Sequence, residues 1–261
     1  MIEQGLREEI ALALREAEAS RTPIAPLASR WPKVEVEDAY AIQRINIERR
    51  VRGGATIRGH KVGLSSRAMQ EMMGVREPDY GHLLDDMFVF EGFGVAADEL
   101  LQPRVEIEVA FVLGASLPKR GCNVADVLRA TEFVLPAIEI IDSRIADWKI
   151  GIVDTIADNA SSAKLVLGGN PVGLRDLDVR NVGAALRVNG EIVETGTAGA
   201  VLGNPVTAVA WLARKIGAFD IALEAGHVVL PGSCTRAVAV RAGDHVRADF
   251  DALGHVEVSF V

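Results

Sequence analysis

The stretch of this chain best suited to chemistry is PRVEIEVAFVL, residues 103–113, in which Glu106 and Glu108 stand two positions apart. Successive side chains of a strand point to opposite faces, so Val105, Ile107 and Val109 share one face and the two glutamates the other. On a solvated face this is an ordinary amphipathic strand. In a pocket, two adjacent carboxylates repel and need a proton or a cation. Glu139 adds weight to the pocket, because it interrupts an otherwise apolar run, VLPAIEII. A buried carboxylate without a partner is costly. Arg144 is one candidate partner and a shared cation is another. Oxygen ligands suit hard divalent ions such as Mg²⁺ or Mn²⁺, and three carboxylates would leave coordination positions open to a bidentate substrate.

Other groups carry less by themselves. Lys61 lies in a strand-like segment between Gly59 and Gly63. It is a proton shuttle if its surroundings lower its pKa, and otherwise a partner for a carboxylate or a surface lysine. Asp79 follows Pro78 in an expected loop, where an Asx turn or cap competes with a catalytic role. Ser161 and Ser162, after Asn159 and Ala160, are candidates for a substrate carboxylate or for a turn. PGSC, residues 231–234, offers Ser233 and backbone N–H groups to an anion, or is simply a tight turn. Arg236 would meet a second substrate carboxylate or a surface acid. The histidines are scattered at spacings unlike metal ligands. His60 and His82 lie near the proposed site by motif. Met69, Met72 and Met73 read as a packed helix face.

These residues are carried by 261 positions, enough for a large core. Hydrophobic residues make up 49%, which places the chain among globular proteins. The net charge of −8 and the lack of a basic cluster argue against nucleic acid. An acidic protein that handles an anion needs local positive charge, and a bound cation supplies it. Cys122 and Cys234 form no C-x-x-C pattern, which argues against a disulfide framework. The charged N-terminus lacks the apolar stretch of a signal peptide, and no apolar run reaches membrane-spanning length. A soluble, cytoplasmic protein is expected.

Helical spacing is expected over 2–19 and again over 34–51, with Gly53 and Gly54 ending the second helix. TIRGHKVGL then reads as a strand and RAMQEMMGV as a short helix, before a loop marked by Pro78, Asp79 and Gly81. From 104 onward strand-like runs dominate, among them FVLPAIEIID, GHVVL, AVAVRAGDHVRADF and HVEVSFV. VNGEI marks a hairpin, and helices are expected near 124–131 and 205–215. The coarse reading is a helical N-terminal part over 1–70 and a β-rich domain over 71–261.

Several of these motifs occur together in one known family. GHKVGLSS, EPDYGHLLDDM, PRVEIEVAFVL, LPAIEIIDSRIADWKI, DTIADNASSA and VLGNPVTAVAWLA, in this order, resemble the 2-keto-4-pentenoate hydratases of the fumarylacetoacetate hydrolase superfamily. The resemblance runs from about residue 20 to the C-terminus. It implies an α+β fold, a mixed β-roll or distorted barrel with a smaller N-terminal α/β part. It places metal ligands at Glu106, Glu108 and Glu139 and proton-transfer groups at Lys61 and Asp79. The implied reaction hydrates 2-hydroxypenta-2,4-dienoate, a small 2-oxo acid in its enol form, in an aromatic or steroid meta-cleavage pathway. The implied cofactor is Mg²⁺ or Mn²⁺. The implied assembly is a homo-oligomer, a pentamer, decamer or dimer, with association to the pathway aldolase or decarboxylase. A 2-oxo-3-hexenedioate decarboxylase and a 2-oxohept-3-enedioate hydratase are alternatives within the superfamily. A C–C hydrolase is more distant, since no histidine motif precedes the metal strand. A non-catalytic assembly partner fits poorly with intact ligand positions.

Overall fold

The structure is a computed structural model that describes residues 1–72 and 74–261, the side chains of Ala68 and Met72 excepted. It opens with helices α1 (Gln4–Ser20), α2 (Leu27–Arg30) and α3 (Val36–Arg52). α1 buries Ile10, Leu14 and Ala17 along one stripe, as its spacing requires. Buried Asp38 ties α1 to α3 by accepting hydrogen bonds from Arg7 and from the backbone N–H groups of Ile2 and Glu35.

Two sheets follow. The larger contains β1 (Ile57–Gly63), β2 (Asp79–Leu84), β3 (Phe88–Val89), β5 (Arg104–Leu113), β6 (Thr131–Ile141), β7 (Ser162–Leu167), β10 (Val228–Leu230) and β11 (Val238–Ala239). The smaller contains β4 (Gly94–Val95), β8 (Gly183–Val188), β9 (Glu191–Thr197), β12 (His245–Phe250) and β13 (Gly254–Phe260). Helices α4 (Arg67–Met72), α5 (Val124–Ala130), α6 (Ile152–Ala157) and α7 (Pro205–Gly217) connect them. Strand order in the larger sheet is β2-β1-β10-β5-β6-β7-β3, with β11 beside β5; in the smaller it is β4-β13-β12-β8-β9. The larger sheet is mixed, with β1 and β10 parallel and β5 and β6 antiparallel. It curls until the approach to β7 meets β2, which gives the expected α+β roll.

Alternation along β5 separates two interiors. Val105, Ile107, Val109 and Phe111 join the main core with residues of the N-terminal helices. The opposite face carries Glu106 and Glu108 and continues into Ala110, which packs with Ala137, Leu165, Val228 and Leu230. The Asn189–Gly190 turn between β8 and β9 has φ of 53° and 89°, the two positive values that a type I′ hairpin needs.

The structure departs from the sequence reading at four places. Residues 79–81 are strand and not loop, because β2 pairs antiparallel with β1 along its length. The run 237–250 breaks into β11 and β12 around a turn at Gly243, where φ is 89°. Helix α6 was not anticipated, being too short for a helical period to show. The methionine face over 69–73 is not seen as expected, since Met69 is exposed and Met73 lies outside the described residues. No described helix is long and apolar enough to cross a membrane.

Candidate metal centre

Glu106 and Glu139 are register partners across β5 and β6, so their side chains rise from one face side by side. Glu108 lies two residues along the same face. One oxygen from each of the three lies within 4.8 Å of the others. Glu108 and Glu139 are fully buried, and Glu106 is partly exposed beside them. Two unit charges at that separation repel by about 3–4 kcal/mol at an effective dielectric near 20. Three ionised carboxylates therefore cannot persist there without nearby positive charge.

The protein supplies one such charge. Lys61, on β1, is buried with its Nζ 3.3 Å from Glu139 Oε2. It donates to the Ala160 carbonyl at 3.0 Å. Burial alone would lower its pKa, but the carboxylates of Glu139, Glu106, Asp79 and Glu108 outweigh burial and raise it. The direction is opposite to the lowering considered from the sequence, because more negative charge converges on Lys61 than the motif reveals. Asp79 faces the same interior from β2. Its Oδ2 accepts from Thr155 Oγ1 at 3.0 Å, and its Oδ1 stands where a Cβ on Gly63 would lie, 2.1 Å away. Only glycine at position 63 leaves room for that carboxylate.

One ammonium does not balance four carboxylates, and the surplus shows in the protonation of Glu106, Glu108 and Asp79. Burial pushes Glu106 up to about 7, with Glu139 and Asp79 adding to the shift against Lys61. Burial, and then the charges of Glu139 and Glu106, lift Glu108 well above the carboxylate range. Burial raises Asp79 as well. Hydrogen bonds satisfy only half of the oxygens of Glu108, Glu139 and Asp79. Ser162 Oγ donates to Glu139 Oε1 at 2.9 Å, and the Gly232 N–H donates to Glu108 Oε2 at 2.7 Å. Glu108 Oε1, Glu139 Oε2 and Asp79 Oδ1 have no hydrogen-bond partner though buried. An all-oxygen donor set with orphaned buried atoms fits a hard divalent cation, held by Glu106, Glu108 and Glu139.

The remaining sequence candidates fall in different places. Ser161 is buried beside Ala160, and its Oγ has no partner. Ser233 adjoins the Gly232 donor, its Oγ 3.4 Å from the Ile107 carbonyl. Arg236 is not brought to the carboxylates. Its side chain is 87% exposed and pairs with Glu194 at 2.7 Å. Arg144 is not the partner of Glu139, because Asp158 engages it. His60 and His82 pack against each other with ring centroids 4.8 Å apart and planes tilted by 51°. They alternate with Lys61 and Gly81 and so lie on the other face of β1 and β2. Burial lowers both of their pKa values, His82 to about 4, so neither carries charge at neutral pH. Thr155 and the Ala160 carbonyl escaped sequence reasoning, whereas Ser162 and the Gly232 N–H, read as candidates for a substrate anion, are bonded to Glu139 and Glu108. All lie within quoted motifs, but nothing in a string of residues shows which backbone or hydroxyl group turns inward.

Residues 64–261 match the fumarylacetoacetate (FAA) hydrolase C-terminal family. The chain belongs to this family. Among curated FAA hydrolase relatives it is 45% identical over 254 residues to a 2-keto-4-pentenoate hydratase of Paraburkholderia xenovorans, covering 97% of this chain and 94% of that protein. It is 41% identical over 267 residues to a 2-oxo-hept-4-ene-1,7-dioate hydratase of Escherichia coli, covering all of both. Among solved structures it superposes with a TM-score of 0.95 on the 4-oxalocrotonate decarboxylase from Pseudomonas putida G7, complexed with magnesium and adipate. That chain is 35% identical, and the match covers 100% of this chain and 99% of it.

Proposed function

We propose that this protein is a hydro-lyase that adds water to 2-hydroxypenta-2,4-dienoate to give 4-hydroxy-2-oxopentanoate. The observation that carries the reading is the convergence of Glu106, Glu108 and Glu139, with orphaned buried oxygens, beside Lys61 and Asp79. It stands in a chain similar over 97% of its length to a 2-keto-4-pentenoate hydratase. A divalent cation held by the three glutamates would supply Lewis-acid stabilisation of the 2-oxo acid head. The working ion is Mg²⁺ or Mn²⁺.

The reaction needs the dienol to become an α,β-unsaturated ketone, water to add at C4, and a proton to reach carbon in the final ketonisation. Lys61, charged and fixed beside Glu139, is the acid that delivers the proton to carbon in the final ketonisation. Asp79 orients the incoming water or takes its proton, its carboxylate held by Thr155. The free Ser161 hydroxyl and Ser233 receive the substrate carboxylate. Arg236 is the weakest of the substrate contacts, because Glu194 already engages it. Residues 71–261 form the catalytic domain, and the 1–70 part contributes Lys61 to it. We place the enzyme in the cytoplasm, in an aromatic or steroid meta-cleavage pathway. There it works as a homo-oligomer that associates with the pathway aldolase or decarboxylase.

A second reading is decarboxylation or hydration of a six- or seven-carbon diacid, favoured by the similarity to the two diacid enzymes. The interior argues for the shorter monoacid. Lys61 is the one buried cation facing the carboxylates among the described residues, since Arg144 is spent on Asp158. Assay with five-, six- and seven-carbon substrates, following diene absorbance and CO₂ release, separates them. Turnover of the five-carbon substrate without CO₂ is expected. Exclusive turnover of a diacid overturns the reading.

A further inference from the structure

The segment between α6 and β7 has an unusual backbone. Asn159, Ala160 and Ser161 have φ of 56°, 51° and 54°, a left-handed turn made entirely of residues with side chains. Left-handed geometry crowds Cβ against the following carbonyl, so such residues normally adopt it singly. A run of three persists only where the surroundings hold it in place.

The holding contacts are specific. Asn159 Nδ2 donates to the His82 carbonyl at 2.9 Å, and Asn159 Oδ1 accepts from the His82 N–H at 2.7 Å. Its amide stands in for a neighbouring strand on the edge of β2. The Asn159 carbonyl lies against Gly81, where a Cβ would come within 2.4 Å of it. Gly81 is the register partner of Lys61. The next residue, Ala160, turns its carbonyl to Lys61 Nζ at 3.0 Å. Two residues later, Ser162 bonds Glu139, the other partner of Lys61.

We propose that this left-handed turn is the positioning element for the Lys61 ammonium, with Asn159 as its anchor. The inference rests on the proton-transfer role given to Lys61 above. An ammonium has three N–H bonds. The Ala160 carbonyl accepts one of them and the Glu139 Oε2 charge, 3.3 Å from Nζ, holds the ammonium toward the carboxylates, which leaves N–H bonds free for the substrate. Without the carbonyl, a flexible four-carbon stem samples other rotamers. Asn159 touches no reacting atom and acts through Ala160 and Lys61.

The test is a double-mutant cycle between Asn159→Gly and Lys61→Ala, with Mn²⁺ affinity measured on every variant. Glycine accepts the left-handed φ, so Asn159→Gly removes the anchor alone. Expected are Mn²⁺ affinity within about twofold of wild type, a near-constant KM, and a kcat about 10- to 100-fold lower. In the Lys61→Ala background the same change should lower kcat by less than about twofold. Wild-type kcat in Asn159→Gly, or an equal drop in both backgrounds, overturns the inference and leaves the hydratase reading intact. A wild-type rate in Lys61→Ala overturns both the role of the lysine and the inference built on it. Should Asn159→Gly lose Mn²⁺ affinity, Asn159→Ser, which keeps a hydroxyl acceptor at that position, replaces it in the cycle under the same criteria.

Discussion

Glu106 and Glu139 face each other across adjacent strands, an arrangement that without a cation favours the protonated form of Glu106. Glu106 is pushed up to about 7 by burial, and Glu108 and Asp79 move the same way. The cation-free folded protein therefore holds protons that the unfolded chain releases near the ordinary carboxylate range. Its stability should fall as pH rises through about 7, since the native state binds more protons over that window. A lower melting temperature at pH 8 than at pH 6 in chelator-treated protein, reversed by added Mg²⁺, would bear this out. Cation binding must expel those protons, so affinity should rise with pH through about 7, as titration calorimetry would read. Lys61→Ala should keep cation affinity and slow turnover by about 10²-fold or more; single-turnover absorbance kinetics measure it. At this scale strand alternation and an acid in an apolar run suggested which carboxylates converge, and the ordered motifs around them settled the choice. The sequence did not show the direction of the Lys61 shift. That depends on how many acids from β2, β5 and β6 reach one point.

At the scale of elements, β1 and β2 bring Lys61 and Asp79 together, while β5 and β6 supply the glutamates. α6 secures their flank. Asp154, buried on α6, accepts the Leu27 N–H at 2.6 Å and the Gly151 N–H at 2.7 Å, linking α2 to the helix start. Asp154→Ala strands both donors and should cost about 1–3 kcal/mol, read as a lower denaturant midpoint at unchanged slope. Long helices such as α1 and α7 were legible from their apolar period and their ends. The β8–β9 hairpin was legible from Asn-Gly. β2 was not, because Pro78, Asp79 and Gly81 read as a loop by composition, and Asp79 and Gly81 become strand only through pairing with β1. The left-handed turn at Asn159 was hidden for a related reason. Its conformation is imposed by β2 and Lys61, which lie far away in the chain.

For the whole molecule, the curled sheet has two interiors with different tasks. One is the apolar core shared with the N-terminal helices. The other is the carboxylate chamber backed by a smaller apolar cluster. A cation that binds only the folded chain should raise the melting temperature in a concentration-dependent way, and Glu106→Gln should weaken that response without unfolding the protein. The order of motifs along the chain made the family legible before any coordinates. The length of the substrate tail was not legible, because the side chains lining that region come from separate loops. The most direct measurement is hydration of 2-hydroxypenta-2,4-dienoate, followed by loss of diene absorbance, in chelator-stripped protein before and after Mg²⁺ or Mn²⁺ is restored, alongside Glu106→Gln. Activity lost on stripping, regained with the ion in wild type and absent from Glu106→Gln is the expected result. Full activity in stripped wild type, or in Glu106→Gln, would contradict the account.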